Sequence, residues 1–301
     1  MWKTLTMTGA SLLTSSIIIN RAVDTTYNNF VIEGRGKIAG FCVSSAINMF
    51  DSTISYTSNP VSERVTFKNI YFQSNNAALA AYVMTQKFLR VVFDHSNFLQ
   101  IKIVNSSNYL QSWRISGGYA RSWSGTLVTA ATFGYDIRTN DVDYEGGGSG
   151  FNFGTCNGCA AINNTFEGGN KFWYQSGGGG LTFIGNYLEG NVGIDLTLSA
   201  GGGAAYGVVI KGNFFSPGVT WPIVLGNTTG TGGGNYSTTN LYYDTGTTVG
   251  SFTDLGSFAA SSLNSSGNLI SVLPTALLTR GDVTPYAGGG QANATLLPYL
   301  S

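Results

Sequence analysis

The feature that most constrains the fold is an internal repeat with a period of 22 to 27 residues. Strong copies cover residues 137–144, 161–168, 183–190 and 210–217, and weaker copies begin at Phe67, Phe93 and Ile115. A coil of three short strands and their turns uses a similar number of residues. Leucine-rich repeats have similar periods but need a ladder of leucines, which this sequence lacks. The repeat predicts an all-β right-handed parallel β-helix, a solenoid of about 8 to 10 coils.

The composition favours strands and argues against several classes of partner. Only 10% of the residues are charged, against about 25% in an ordinary soluble domain. The 42 glycines, with many Ser, Thr and Asn, disfavour helix interiors. Because 15 basic residues balance 15 acidic ones, no overall field attracts nucleic acid or an anionic membrane. No apolar run reaches the roughly 18 to 20 residues of a membrane helix. A neutral partner such as a glycan fits these properties better.

The coil pattern divides the chain into a parallel β-helix over residues 1–245 and a separate segment over residues 246–301. In the C-terminal segment the repeat fades, and Ser, Thr and Gly alternate with scattered apolar residues. We expect this segment to cap the last coil or to pack against another chain. Near the N terminus, residues 3–19 contain too many Ser and Thr for a typical secretion signal. A first strand with its turn is the preferred interpretation of that stretch.

Two recurring residue types are interpreted as structural. Asparagines at one position of successive coils can stack their side-chain amides along the axis. The aligned asparagines are Asn140, Asn164, Asn186 and Asn213. The chain contains an odd number of cysteines, namely Cys42, Cys156 and Cys159, and it is too large to need a disulfide framework. We therefore interpret all three as reduced. Cys156 and Cys159 have the spacing of half a zinc site, but no second pair completes it, so a turn is the preferred interpretation.

The segments 30–38, 65–72 and 183–188 resemble coils of the pectate-lyase-type β-helix superfamily and, within it, of bacteriophage tailspikes. The resemblance covers roughly residues 17 to 245 and concerns architecture more than chemistry. It implies a homotrimer in the virion tail that binds bacterial capsule or O-antigen polysaccharide and degrades it, usually as a glycoside hydrolase and sometimes as a lyase. Tailspikes usually begin with a virion-attachment domain, whereas these coils begin almost at Met1. We therefore expect either a fragment or a chain that docks to another tail protein; a secreted protein is the alternative.

An acidic column is the candidate catalytic site. Aligning the coils on the repeated asparagine places Asp143, Glu167 and Glu189 at equivalent outward positions, each after an apolar residue that should point inward. Since coils stack about 4.8 Å apart, Glu167 should lie near both Asp143 and Glu189. Like charges at that distance raise the pKa of at least one carboxyl group, and a general acid requires such a raised pKa. The distance between carboxyl groups on adjacent coils suits a retaining hydrolase, and the longer distance between Asp143 and Glu189 suits an inverting one. The alternative is a solvated corner without catalytic function.

Substrate-binding residues are predicted on and beside this column. Arg121 lies one coil earlier and suits an acidic sugar, and Glu145 follows on the same strand as Asp143. A second strand in each coil, at residues 151–153, 172–174, 194–196 and 223–225, leaves one outward residue between two inward ones. These outward residues are Asn152, Trp173, Asp195 and Val224. An outward Trp173 is a platform for a sugar ring or a contact between subunits, and we assign Asp195 to the same surface.

His95, the only histidine, supports a different interpretation. Its ordinary pKa suits a lyase base, with Arg114 or Arg121 neutralising a uronate and Asp94 adjacent. A structural histidine at a strand end is preferred, because no second catalytic group can be placed beside it. A non-catalytic glycan-binding fibre protein is the third possibility. Since no phosphate loop, nucleophile elbow or metal cluster is recognisable, no cofactor and no metal are expected.

Overall fold

The chain forms a parallel β-solenoid, and no helix occurs among the residues that the structure describes. The computed structural model describes residues 3–19, 29–36, 38–52, 64–107, 109–196, 205–216, 221–225, 236–242 and 253–254. Within these ranges, no helix is long and apolar enough to cross a membrane.

Most strands are short because each covers one side of a coil, whereas a few long strands run around a corner onto the next side. The strands of the first half are β1 (Lys3–Met7), β2 (Ala10–Leu13), β3 (Ile17–Ile18), β4 (Asn29–Gly34), β5 (Gly40–Val43), β6 (Asn48–Asp51), β7 (Arg64–Lys68), β8 (Tyr71–Ser74), β9 (Tyr82–Met84), β10 (Arg90–Asp94), β11 (Asn97–Leu99), β12 (Lys102–Ser106), β13 (Tyr109–Gln111), β14 (Trp113–Ser116), β15 (Tyr119–Arg121) and β16 (Thr126–Ala130). Those that follow are β17 (Phe133–Tyr135), β18 (Arg138–Asn140), β19 (Asp143–Glu145), β20 (Ser149–Phe153), β21 (Cys156–Asn157), β22 (Ala160–Ile162), β23 (Thr165–Gln175), β24 (Gly178–Ile184), β25 (Tyr187–Leu196), β26 (Ala205–Phe215), β27 (Trp221–Leu225), β28 (Tyr236–Tyr242) and β29 (Thr253–Asp254).

The strands pair in parallel along three faces of the solenoid. Face 1 contains β1, β4, β7, β10, β14, β18, β22, β24 and the first parts of β26 and β28. Face 2 contains β2, β5, β8, β11, β15, β19, the first parts of β23 and β25, and the ends of β26 and β28. Face 3 contains β3, β6, β9, β12, β16, β20, the second parts of β23 and β25, then β27 and β29. A separate small sheet is formed by β13, β17 and β21.

The predicted parallel solenoid is confirmed. Seven coils with a strand on every face lie between Asn29 and Leu196; β1 to β3 form a coil before them, and β26 to β29 continue the same pairing after them. The stretch interpreted as a first strand with its turn is β1 to β3. Of the predicted C-terminal segment 246–301, only Thr253–Asp254 lies within the described residues, where it pairs as β29 with β27.

The bore is filled by columns of apolar side chains that repeat from coil to coil. Phe67 and Phe93 stack with centroids 5.2 Å apart, and Phe72 and Phe98 stack at 5.4 Å. All four side chains are buried. Because burial of one such side chain contributes about 1.5 to 3 kcal/mol, these columns stabilise the stacking of coils. On most strands of faces 1 and 2, the side chains on either side of an inward residue point to the outer surface. Strands of face 3 bury two consecutive side chains, as in Met49–Phe50 and Leu127–Val128.

The corner between faces 1 and 2 is a ladder of single residues with positive φ. Asn69, His95, Asp141 and Asn163 have φ values of 51 to 54°, and Gly117 has 63°. Each backbone N–H donates to a carbonyl of the next coil, as from His95 to Ser116 at 2.7 Å. Asn, Asp, His and Gly are the residue types that tolerate this conformation best. The corner therefore explains why a histidine stands at residue 95.

The asparagine ladder is confirmed for three of its four predicted members. Asn164 donates from Nδ2 to Asn186 Oδ1 at 2.9 Å, and Asn186 donates to Asn213 Oδ1 at 2.8 Å. All three are buried. Asn140 lies outside the ladder, because the backbone N–H of Val142 occupies the corresponding place and donates to Asn164 Oδ1 at 3.2 Å. The predicted alignment of that coil was therefore wrong by two residues.

The misalignment has its cause in a polar residue inside the bore. Ala161 pairs with Thr139, and Thr139 in turn with Ile115. The buried Thr139 hydroxyl contacts Tyr144 Oη at 2.5 Å and donates to Asn164 Oδ1 at 3.0 Å. A threonine in an apolar column does not look like a core residue in the sequence, whereas Ile137 does. The prediction aligned this coil on Asn140, whereas Asn140 pairs with Ile162 and Val142 holds the position equivalent to Asn164.

The interpretation of all three cysteines as reduced was wrong for two of them. Cys156 and Cys159 form a disulfide, and both are buried against the core. The bond closes a loop of two intervening residues at the end of the small sheet. Cys42 has a free thiol on the outer side of β5, and partial burial raises its pKa.

Candidate functional site

Face 2 displays two outward side chains from each short strand, with one buried residue between them. In β19, the fully buried Tyr144 separates Asp143 from Glu145. At the start of β25, the buried Leu188 separates Tyr187 from Glu189. Because side chains alternate along a strand, both members of each pair lie on the outer surface. The corners on either side limit these strands to three residues, as in β15 and β19.

The acidic column exists, but its membership differs from the prediction. Arg121 pairs with Glu145, and Glu145 with Glu167. Glu189 holds the next position, because the preceding Leu188 pairs with Phe166. Asp143 pairs with Thr165 and lies in the neighbouring column, so its predicted stacking under Glu167 was wrong. The cause is the same shift of two residues that excluded Asn140 from the asparagine ladder.

Arg121 is engaged by two carboxylates of its own chain. Its Nε lies 2.8 Å from Glu145 Oε2, and its Nη2 lies 3.6 Å from Asp143 Oδ2. The guanidinium also lies over the Tyr119 ring, 4.8 Å from the centroid. The three charged side chains are each 43 to 50% exposed, so the pairing orients them more than it stabilises the fold. The structure thus brings Arg121 together with Glu145, whereas the sequence alignment placed Arg121 in the column of Asp143, and Asp143 approaches Arg121 from the side.

Glu167 lies between two other glutamates and has a raised pKa. The main cause is burial, followed by the charges of Asp143, Glu189 and Glu145, which Arg121 partly offsets. Among the described residues, no cation lies within salt-bridge distance of Glu167. The raised pKa favours its protonated form, as the sequence predicts for one carboxyl of the column. Such a carboxyl can donate a proton to a leaving oxygen.

Glu189 is oriented by an aromatic neighbour. The Tyr187 hydroxyl donates to Glu189 Oε2 at 3.2 Å, and the Tyr187 ring stacks on Phe214 at 5.2 Å. Burial and the charge of Glu189 raise the pKa of Tyr187, while a hydrogen bond with Ser216 lowers it. Glu189 therefore has a fixed hydrogen-bond donor beside it, whereas Glu167 has like charges as its nearest charged neighbours.

Two tyrosines on the same face, Tyr71 and Tyr187, were missed in the sequence, and the outward direction of Tyr119 was not assigned. Tyr71, Tyr119 and Tyr187 occupy the outward column that also contains Asp143. The Tyr71 and Tyr119 rings are 6.2 Å apart. A signal existed in the sequence: if Leu188 points inward and Glu189 outward, Tyr187 must also point outward. The same alternation applies to Tyr71 and Tyr119.

The predicted outward direction of Trp173 was wrong. Trp173 is 0% exposed, pairs with Phe151 and stacks on its ring at 5.0 Å. Its indole N–H donates to Gln175 Oε1 at 2.9 Å inside the bore. An irregularity between Phe166 and Gly169 shifts the register of β23 against β25, so the second half of the strand is displaced by one residue from the predicted alignment. Tyr174 takes the outward position instead.

Asp195 keeps its predicted register but lies away from the acids. It pairs with Tyr174 on face 3 and is only 5% exposed. Lys171 Nζ lies 2.6 Å from Asp195 Oδ2 and 4.7 Å from the Tyr174 ring centroid. The structure therefore places Trp173 and Asp195 on a different side from Glu167 and Glu189.

The residues of the alternative lyase site are divided between two faces: Asp94, His95 and Arg114 lie at face 1, whereas Arg121 lies on face 2. His95 occupies the corner ladder, and its Nδ1 contacts Asp94 Oδ1 at 2.6 Å. Arg114 contacts Asp136 twice, through the carboxylate and the main-chain carbonyl, at 2.5 Å each. The two arginines beside Asp136, Arg114 and Arg138, lower its pKa despite partial burial, which acts in the opposite direction. The positive φ of His95, at 51°, supports its structural interpretation.

Comparisons of the sequence with known proteins leave the chain without an assigned family: no protein-family model matches it, and no curated protein is significantly similar to it.

Proposed function

We propose that the chain is a polysaccharide depolymerase that hydrolyses glycosidic bonds at face 2. The observation that carries the proposal is the raised pKa of Glu167, between Glu145 and Glu189 on an outer surface. Two carboxyl groups of unequal proton affinity are the minimal equipment of a glycoside hydrolase. A surface used only for binding has no need of such a pair.

The roles follow from the environment of each carboxyl group. Glu167 donates its proton to the glycosidic oxygen as the bond to the anomeric carbon breaks. Glu189, oriented by Tyr187, is the partner: its carboxylate either attacks the anomeric carbon or takes a proton from the attacking water. Adjacent coils are about 4.8 Å apart, which favours the first route, with retention. Burial raises the pKa of Glu167 most, and the charges of Asp143 and Glu145, which are bound to Arg121, raise it further.

The biological setting of the proposal comes from the resemblance to phage tailspikes, with which a parallel solenoid is consistent. In this setting the chain is a homotrimeric part of a virion tail, associated with other tail proteins. Its substrate is a bacterial capsule or O-antigen polysaccharide. The long outer surface of stacked coils suits a polymer better than a small molecule.

Incubation with a panel of bacterial capsular and O-antigen polysaccharides tests the proposal. The expected result is new reducing ends without absorbance of an unsaturated uronate, and a loss of about a hundredfold or more in turnover for Glu167→Gln. Glu167→Gln keeps the shape of the side chain, so polymer binding is expected to survive. An unsaturated product would instead identify a lyase. Binding without any cleavage would identify a glycan-binding fibre protein.

A further inference from the structure

The catalytic part of face 2 has an excess of negative charge. The outward charged residues from β15 to the start of β25 are one arginine and four acids, namely Arg121, Asp143, Glu145, Glu167 and Glu189. Arg121 is already bound to Glu145 at 2.8 Å and lies 3.6 Å from Asp143. Among the described residues, this part of the face therefore holds no cation that is free to bind an acidic sugar. The predicted use of Arg121 for that purpose does not fit these contacts.

The preceding coils of the same face carry no charge. The outward residues of the two preceding strands, β8 and β11, are Tyr71, Gln73, Asn97 and Leu99, and Tyr119 on β15 extends this uncharged surface beside Arg121. Burial and a hydrogen bond with Tyr119 raise the pKa of Tyr71 to about 12, so its hydroxyl stays neutral. Amides, phenols and aromatic rings are the groups that bind uncharged sugars through hydrogen bonds and apolar contact.

The uncharged and acidic parts form one continuous strip along the axis. Gln73 pairs with Leu99, Leu99 with Arg121, and Arg121 with Glu145. Each step advances one coil, about 4.8 Å, which is close to the length of one sugar residue in a chain. A polysaccharide laid parallel to the axis therefore meets a new pair of outward side chains with nearly every sugar.

Resting on the proposed function, we propose that face 2 takes an uncharged polysaccharide that lies along the solenoid axis from Tyr71 to Glu189, and that it rejects uronates and other acidic sugars. A sugar carboxylate beside Glu145 or Glu189 meets like charge within about one coil spacing, and repulsion grows as the bound polymer displaces water. Rejection of this kind is a form of specificity by unfavourable contact.

The test uses a matched pair of polymers. One is a neutral polysaccharide from the activity panel that the chain binds; the other is the same polymer after partial oxidation of its primary alcohols to carboxylates. Backbone and linkage are then identical, and only charge differs. Binding by the parent chain is expected to be about tenfold or more weaker for the oxidised polymer, and the difference should shrink at high salt, because exposed charges are screened. Equal or tighter binding of the oxidised polymer would overturn the proposal.

Two variants locate the effect on this strip. Tyr119→Ala is expected to weaken binding of the neutral polymer about tenfold through loss of an aromatic contact. Tyr135→Ala, at a more exposed tyrosine (49%) on the separate small sheet, is the control and should change nothing. Gln73→Lys adds a cation on the outer surface without removing a core side chain. It should improve binding of the oxidised polymer several-fold relative to binding of the neutral polymer; no such improvement would contradict an axial strip through Gln73.

The outcomes separate this proposal from the proposed hydrolysis. If the chain binds the neutral polymer more tightly but releases no reducing ends, this result would refute hydrolysis and support the proposed binding strip. A chain that cleaves acidic polymers as fast as neutral ones would support hydrolysis and refute the strip. A chain that binds neither class would refute both.

Discussion

At the scale of single residues, Trp173 shows that a shift of one residue in strand register changes the role of a side chain. An outward tryptophan is a sugar platform, whereas the same residue in the bore is a core side chain that stacks on Phe151. We expect Trp173→Ala to lower the free energy of unfolding by about 3 to 5 kcal/mol, the usual cost of truncating a buried aromatic residue. Tyr174→Ala, at the adjacent outward position, should cost much less. Urea unfolding of both variants is the measurement; equal costs would contradict the inward placement.

A second residue-scale prediction concerns Glu167 and pH. Because its pKa is raised on folding, the folded chain binds more protons than the unfolded chain between the ordinary value of 4.5 and the raised one. The free energy of unfolding therefore falls as pH rises through that window. Glu167→Gln removes this loss and should melt roughly 1 to 3 °C above the parent at neutral pH, with no advantage near pH 3.5. Glu145→Gln, which loses a contact with Arg121, should show no such gain. A parent that is more stable than Glu167→Gln at neutral pH would argue against the assigned environment.

At the scale of elements, the asparagine ladder ties successive coils together at one corner. Asn186 accepts from the N–H and the side-chain amide of Asn164, and donates to Asn213 and to the Ala161 carbonyl. Asn186→Ala leaves several of these buried groups without partners, so we expect a loss of about 2 to 4 kcal/mol in unfolding free energy. Asn152→Ala, on the outer side of face 3, is the control and should cost well under 1 kcal/mol. Similar losses of unfolding free energy for the two variants would show that the ladder does not contribute to stability.

The positive φ at the corner between faces 1 and 2 leads to a prediction for His95. Its φ of 51° is tolerated by Asn but is costly for a β-branched residue. His95→Asn should therefore keep both stability and depolymerase activity, whereas His95→Val should lower the unfolding free energy by about 1 to 2 kcal/mol. Loss of activity in a fully folded His95→Asn chain would show that the histidine is catalytic and would move the site to face 1.

At the scale of the whole molecule, the resemblance to tailspikes predicts a trimer. A chain of 31.8 kDa with few charges and with exposed apolar residues such as Leu12, at 65%, and Ile38, at 68%, has surface to bury in an assembly. Light scattering of the intact chain is expected to give three times the mass of one chain. A stable monomer would contradict this prediction. Removal of residues 246–301 should weaken the trimer if that segment packs between chains.

The sequence is sufficient to predict the solenoid and the outward acids. A repeat of the length of one coil leaves few other folds, and the corner residues Asn69, His95 and Asn163 are of the types that a positive φ requires. The outward direction of Glu167 and Glu189 followed from the apolar residue before each. The alignment of positions between neighbouring coils depends on contacts that form only in the folded chain. A buried threonine, Thr139, moved one coil by two residues, and an irregularity in β23 moved another by one. Periodicity alone does not reveal such shifts, because the side-chain pattern of a strand repeats every two residues while the pairing of coils depends on contacts between residues more than twenty positions apart.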